Sequence, residues 1–208
     1  MHARSNLVLA GIAAALVMNL AVNAASANRL SISSHNTRLV WNPLVFTTGA
    51  GGESLVSCPV TLEGSIHSAT ISKVLGSLVG NVTRATIGEA SCRGGRATIS
   101  QASLPWHITY EGFAGTLPRI TSITLLLRGV NFTIEVFGVV CGYGRPEENS
   151  RGIANVEAGG TITSLNSDTS IAIAKLTGGI LCPSTGGFSG TASVMVQGTT
   201  TRLTVRLI

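Results

Sequence analysis

The chain has 208 residues and a formal net charge of +5, with 11% charged residues against 44% hydrophobic ones. That length supports one sizeable core or, at most, two small ones. The basic residues are scattered and never form a run, which argues against nucleic acid as a partner, because such binders neutralise neighbouring phosphates together.

Residues 1–27 read as a secretory signal peptide: Arg4 near the start, an apolar run from Leu7 to Val22, then the small-x-small pattern Ala25-Ser26-Ala27. Cleavage is expected after Ala27, with Ala24 as the other candidate. Residues 28–208 are then expected as a single exported domain, secreted, or periplasmic if the source has an outer membrane. Past the leader no stretch is apolar for long enough to span a bilayer as a helix, which takes about 20 residues. The longest candidate, 123–141, is interrupted by Arg128, Asn131 and Glu135.

The exported part is rich in Gly, Thr, Ser, Val and Ile, a composition of strands and turns. "CPVTLEGSIH", 58–67, places Val60, Leu62 and Ile66 on one face and Thr61, Glu63, Ser65 and His67 on the other. "TISKVLGSLVGNV", 70–82, departs from this period. Its apolar residues Ile71, Val74, Leu75, Leu78, Val79 and Val82 follow the helical template, so a short helix is expected near residues 71–80. Alternation returns at Val130, Phe132, Ile134 and Val136, at Ala192, Val194 and Val196, and at Leu203, Val205 and Leu207. Antiparallel sheets with one wet face produce this pattern. Residues 142–160, charged, Gly-rich and non-periodic, read as a linker or a long loop. Together these features predict an all-β antiparallel sandwich of Greek-key type, with roughly ten to thirteen strands. An outer-membrane barrel is the competing architecture. Nine aromatics in the whole chain are few for the girdles such barrels carry.

Four cysteines follow the leader: Cys58, Cys92, Cys141 and Cys182. An even number in an exported chain predicts two disulfides. Three pairings are open. Cys58–Cys92 with Cys141–Cys182 is preferred, because it closes two separate loops of similar size. The cysteines lie too far apart, with no histidine near them in sequence, for a metal site, so no metal and no cofactor is expected.

The one stretch that looks able to hold something is "LPWHITYEGFAGTLPRI", 104–120. Strand alternation separates Trp106, Ile108 and Tyr110 from His107, Thr109 and Glu111, so this is first a core strand with a solvated back. Phe113 shares the parity of His107 and Glu111. An exposed Phe beside a carboxylate and an imidazole could stack a sugar ring and bond its hydroxyls. Trp106, His107, Tyr110, Glu111 and Phe113 are therefore the candidate ligand-binding residues, and a glycan or cell-surface component is the partner class they would take.

Catalytic constellations are harder to assemble. The exported part has three histidines, His35, His67 and His107, and one aspartate, Asp168, with no nucleophile elbow. Glu63, Glu111 and Glu135 occupy polar faces of expected strands, where a carboxylate pair for glycoside chemistry is conceivable and a solvated role is ordinary. No catalytic residue is assigned. Asn81-Val-Thr and Asn131-Phe-Thr match the N-glycosylation pattern, which carries no weight if the source is bacterial.

The combination of "CPVTLEGS", "VTRA", "GGRAT", "LPWHITYEGFAGTLP" and "TTTRLTVRLI" resembles a group of uncharacterised secreted bacterial all-β proteins. The resemblance implies an exported β protein and transfers no activity. The expected function is thus that of a secreted, non-enzymatic protein with a structural or surface role. The alternative is a carbohydrate or small-ligand binding module built on the 106–113 strand.

Overall fold

The computed structural model describes residues 29–48, 52–116, 119–144, 149–168 and 172–208. The expected leader, 1–27, lies outside them. Fifteen strands follow one another in chain order among the described residues: β1 (Arg29–Ile32), β2 (Asn36–Thr47), β3 (Ser54–Ile66), β4 (Thr70–Ser72), β5 (Leu78–Ile87), β6 (Arg96–Ile99), β7 (Trp106–Ala114), β8 (Ser122–Arg128), β9 (Asn131–Val136), β10 (Val139–Gly144), β11 (Asn149–Val156), β12 (Ile162–Asp168), β13 (Ile173–Thr177), β14 (Thr185–Val196) and β15 (Val205–Leu207).

Eight of them, β2, β3, β5, β7, β8, β11, β12 and β14, form one antiparallel sheet. The sheet closes where β12 pairs with β14, through Leu165↔Ala192, Asn166↔Thr191 and Ser167↔Gly190. The architecture is therefore an eight-stranded barrel and not the Greek-key sandwich expected from the sequence. Each barrel strand pairs with the next barrel strand along the chain, so the path is up and down. β4, β6, β9, β10 and β13 are inserted in the connections, while β1 precedes the barrel strands and β15 follows them. β15, β1 and β4 make a three-stranded sheet across one end. β6, β9, β10 and β13 pair in that order at the other end, attached to the barrel where β13 meets β14.

Alternation explains how the wall is built. In β3 every second residue is buried, from Val56 through Cys58, Val60 and Leu62 to Ile66, and the residues between them face water. The outward positions carry Arg38, Thr61, Glu63, Thr124, Asn166 and Ser193, with the apolar Val40, Leu126, Ile153 and Met195 among them. An apolar inside and a mixed, largely polar outside differs from a lipid-facing barrel, whose continuous apolar band points outward. No helix among the described residues is long and apolar enough to cross a membrane.

The short helix expected near residues 71–80 is absent. Ile71 belongs to β4, the chain turns through residues 73–77, and β5 begins at Leu78. Gly76 sits at φ +76°, in the left-handed region that interrupts a helix. Its N–H donates to the Tyr110 carbonyl, and Tyr110 N–H donates to the Ser77 carbonyl. Helical spacing arose because Ile71, Val79 and Val82 point inward from two strands, while Val74, Leu75 and Leu78 point to solvent. The 142–160 segment, read as linker or loop, instead contributes residues to β10 and β11.

Both disulfides lie toward the β6–β9–β10–β13 end. Cys58 in β3 is joined to Cys92, and Cys141 in β10 to Cys182 in the connection between β13 and β14. The interior packs as two apolar clusters, one toward each end of the barrel. Trp41, Phe46, Val60, Trp106, Phe132 and Tyr143 are in the first. Leu30, Ile71, Tyr110, Ile123, Val194 and Leu203 are in the second.

Tyr110 and Tyr143 are the two tyrosines of the chain. Burial pushes both phenols above their ordinary value of 10.0. The neutral form is the one the fold favours, so this contribution is whole below the unfolded value and is lost as pH rises through the folded one. Alkaline titration of the native protein should therefore show no phenolate absorbance with a midpoint at the ordinary value. The signal should appear at higher pH, together with loss of the β circular-dichroism spectrum. An ordinary midpoint in a protein that stays folded would contradict the burial of both rings.

Candidate functional site

The 106–113 strand does not gather its candidate residues on one face. Trp106 and Tyr110 are 2% and 3% exposed and point into the barrel, while His107 lies on the outer wall. Trp106 is fixed there by an indole N–H donated to Ser103 Oγ at 2.9 Å. Pairing between β7 and β8 shifts register between Tyr110 and Gly112, so Glu111 is the bulged residue. Its carboxylate accepts two bonds from Arg151, Nε at 2.7 Å and Nη2 at 2.6 Å. Phe113 is half-buried, and the Lys73 ammonium stands 5.4 Å from its ring centroid. An imidazole, a carboxylate and an aromatic floor thus do not converge on one external pocket.

On the outer wall, Asn81 bridges two histidines. Its Nδ2 donates to His67 Nε2 at 3.0 Å, and its Oδ1 accepts from His107 Nδ1 at 2.9 Å. The third histidine, His35, bonds the Ile66 carbonyl through Nδ1 at 2.9 Å. Glu63 lies between two guanidinium groups, Arg84 at 3.3 Å and Arg38 at 3.9 Å. Glu63 and Glu111 each face a cation and not a second carboxylate, and Glu135 is paired in register with Arg96. Among the described residues, no group of three or more His, Cys, Asp or Glu side chains is placed to hold a metal ion.

Two hollows are found among the described residues: one of about 210 Å³ on the end sheet, between Leu55, Ile134, Val136, Val139 and Leu181, and one inside the barrel. The barrel lumen retains a cavity of about 130 Å³, which runs between the two apolar clusters. Leu39, Ile108 and Leu165 pack against both clusters and line it. These three, with Leu125, Leu127 and Phe188, are lining residues that keep accessible surface although the barrel surrounds them. An eight-stranded barrel is just wide enough to be filled by side chains or to hold one small ligand. Here the filling is incomplete. Ile32, Ile71, Leu203 and Val205 line the lumen toward the end covered by the three-stranded sheet, and Val130 and Phe132 line it toward the other.

The polar part of the lining is small: Thr37 on β2, Ser150 on β11 and Ser167 on β12; Arg151, beside Ser150, gives its guanidinium to Glu111. Most of it lies beside the β12–β14 seam, which at three residue pairs is the shortest in the barrel. Trp41 faces the same seam. It is in register with Ala192, which is in register with Leu165.

Sequence reading placed Trp106 correctly on the inner face but did not single out Trp41, Leu39, Leu125, Leu127 or Leu165. The available signal was parity. In "TRLVWNPLVF" Leu39 and Trp41 share a face, as do Ile123, Leu125 and Leu127 in β8. That these faces enclose a common space depends on closure of the sheet.

What these features define is a class: a closed, up-and-down eight-stranded barrel with an apolar, aromatic-lined lumen. No family model, no curated protein and no solved structure matches the chain.

Proposed function

We propose that this is an exported, non-catalytic binding protein whose barrel lumen holds one small apolar molecule. The observation that carries this reading is the cavity between Leu39, Ile108 and Leu165. An engineered cavity of about 150 Å³ lined by aliphatic and aromatic side chains stays dry and binds benzene, and the lumen is of that order. Export is supported by the leader pattern of residues 1–27 and by two disulfides, which persist in oxidising compartments. The sugar-binding form of the reading is set aside, because Trp106 and Tyr110 face an apolar interior and Glu111 is held by Arg151.

A benzene titration tests it. At about ten times its Kd, a ligand that binds only the folded state adds about 1.4 kcal/mol of stability. The thermal midpoint should rise with benzene, and an Ile108→Phe variant, which fills the space, should lose that response while remaining folded. No response in the natural protein, or an equal response in the filled variant, removes the lumen as the site. A surface role would then be the reading left. The fully exposed side chains of Phe137 and Ile180, at the disulfide-bearing end, are what would serve it.

A further inference from the structure

We propose that His67, His107 and Asn81 form a binding site for one divalent first-row transition-metal ion on the outer wall of the barrel. This site is separate from the lumen and does not depend on it.

The three residues come from three adjacent strands. His67 directly follows β3, Asn81 is on β5 and His107 on β7, and β5 pairs with both neighbours. Backbone bonds fix their positions. His67 N–H donates to the Val79 carbonyl, and Asn81 is in register with His107. From the strands on either side, the two rings reach one amide: His67 Nε2 lies 3.0 Å from Asn81 Nδ2, and His107 Nδ1 lies 2.9 Å from Asn81 Oδ1. The third histidine among the described residues, His35, turns instead to the Ile66 carbonyl.

Two ring nitrogens and an amide oxygen that meet at one point make a ligand set. Imidazole suits zinc, copper and nickel, whereas magnesium and calcium take shells of oxygen. Charge around the site points the same way. Glu63, the carboxylate of β3, is held by Arg84 and Arg38, and Arg128 is in register with His107. Attraction must therefore come from the nitrogens. His107 binds through Nδ1 once its proton sits on Nε2. Metal–nitrogen bonds of about 2.0–2.1 Å require the two nitrogens to come within about 4 Å of each other. Both rings are exposed, so that movement costs no core packing. Exposed side chains change rotamer within nanoseconds.

Nickel titration of the protein, followed by its histidine ring resonances, tests the site. Bound Ni²⁺ is paramagnetic and broadens the rings that hold it. The resonances of His67 and His107 should broaden first, and those of His35 should stay sharp. A residue that only orients a ligand is worth about 10–100-fold in metal affinity. A ligand should be worth no less, so His67→Ala and His107→Ala should each weaken Ni²⁺ binding at least about ten-fold. Asn81→Asp keeps the shape and supplies a charged oxygen, so it should tighten binding. An unchanged β circular-dichroism spectrum shows that each variant is folded. Equal broadening of all three histidines, an alanine variant that binds as the natural protein does, or no broadening at millimolar Ni²⁺ would each overturn the site. An Asn81→Asp protein that binds no more tightly would remove Asn81 from the ligand set and overturn the site as stated.

Discussion

Replacing Cys141 and Cys182 together by alanine should lower the unfolding free energy by about 4 kcal/mol, the chain-entropy value for a loop of this length. The bridge spans 41 positions and joins β10 to the connection between β13 and β14. Its position explains why the effect should be that large. The end sheet meets the barrel through a short pairing, Ile173↔Gly186 and Ala174↔Thr185. Without the cross-link, that sheet is held by this short pairing and by packing around Phe132, Ile134 and Tyr143. Both half-cystines are buried, at 8% and 4% exposure, and the double alanine variant leaves no polar group behind in their place. Urea unfolding, compared at equal slope, checks the value. A midpoint unchanged from that of the natural protein would show that the cross-link does not constrain the unfolded chain as supposed. If hydrogen exchange in the variant rises first in β9 and β10, the loss is local; if it rises throughout, barrel and end sheet unfold together.

Trp106→Ala should cost about 4 kcal/mol, and His107→Ala about 0.5 kcal/mol or less. The two residues are neighbours in the chain, yet the wall of the barrel passes between them. Trp106 is fully packed inside, against the cluster that contains Val82, Val130 and Phe132. Removing it deletes one of the two largest side chains of that cluster, leaves a void, and takes away the hydrogen bond to Ser103. His107 stands outside and gives up one exposed bond to Asn81. Chemical denaturation of both variants measures the contrast. Equal losses would mean that β7 does not separate inside from outside at this position, and the assignment of its inner face to the lumen would fall. A Trp106→Ala protein that stays folded should also have a larger lumen and should accept larger apolar molecules than benzene.

Much of the strand content was legible because its cause is local. Successive side chains of a strand point to opposite sides whatever the rest of the chain does. Val60, Leu62 and Ile66, or Ala192 and Val194, can therefore be assigned to a buried face from spacing alone. The 70–82 stretch shows where spacing misleads. Ile71 and Val79 are inward residues of separate strands, and Gly76 at positive φ makes the turn between them. A count of apolar positions cannot detect that the chain has reversed direction partway through the window. The candidate site was legible in the same limited way. Parity sends Trp106 and Tyr110 inward and His107 outward, but the pairing of Glu111 with Arg151 crosses β8 and joins residues 40 positions apart.

The sequence by itself determined that the described chain is built of strands with one dry and one wet face, and that its cysteines are even in number. Short-range sterics and composition suffice for that. Tertiary structure decided between sandwich and barrel, because both present the same alternation to solvent. They differ in whether the last strands find each other, here β12 and β14 through Leu165, Asn166 and Ser167. That pairing also decided that Trp41, Trp106 and Leu165 line one enclosed space, since a lumen exists only once the sheet has closed upon itself.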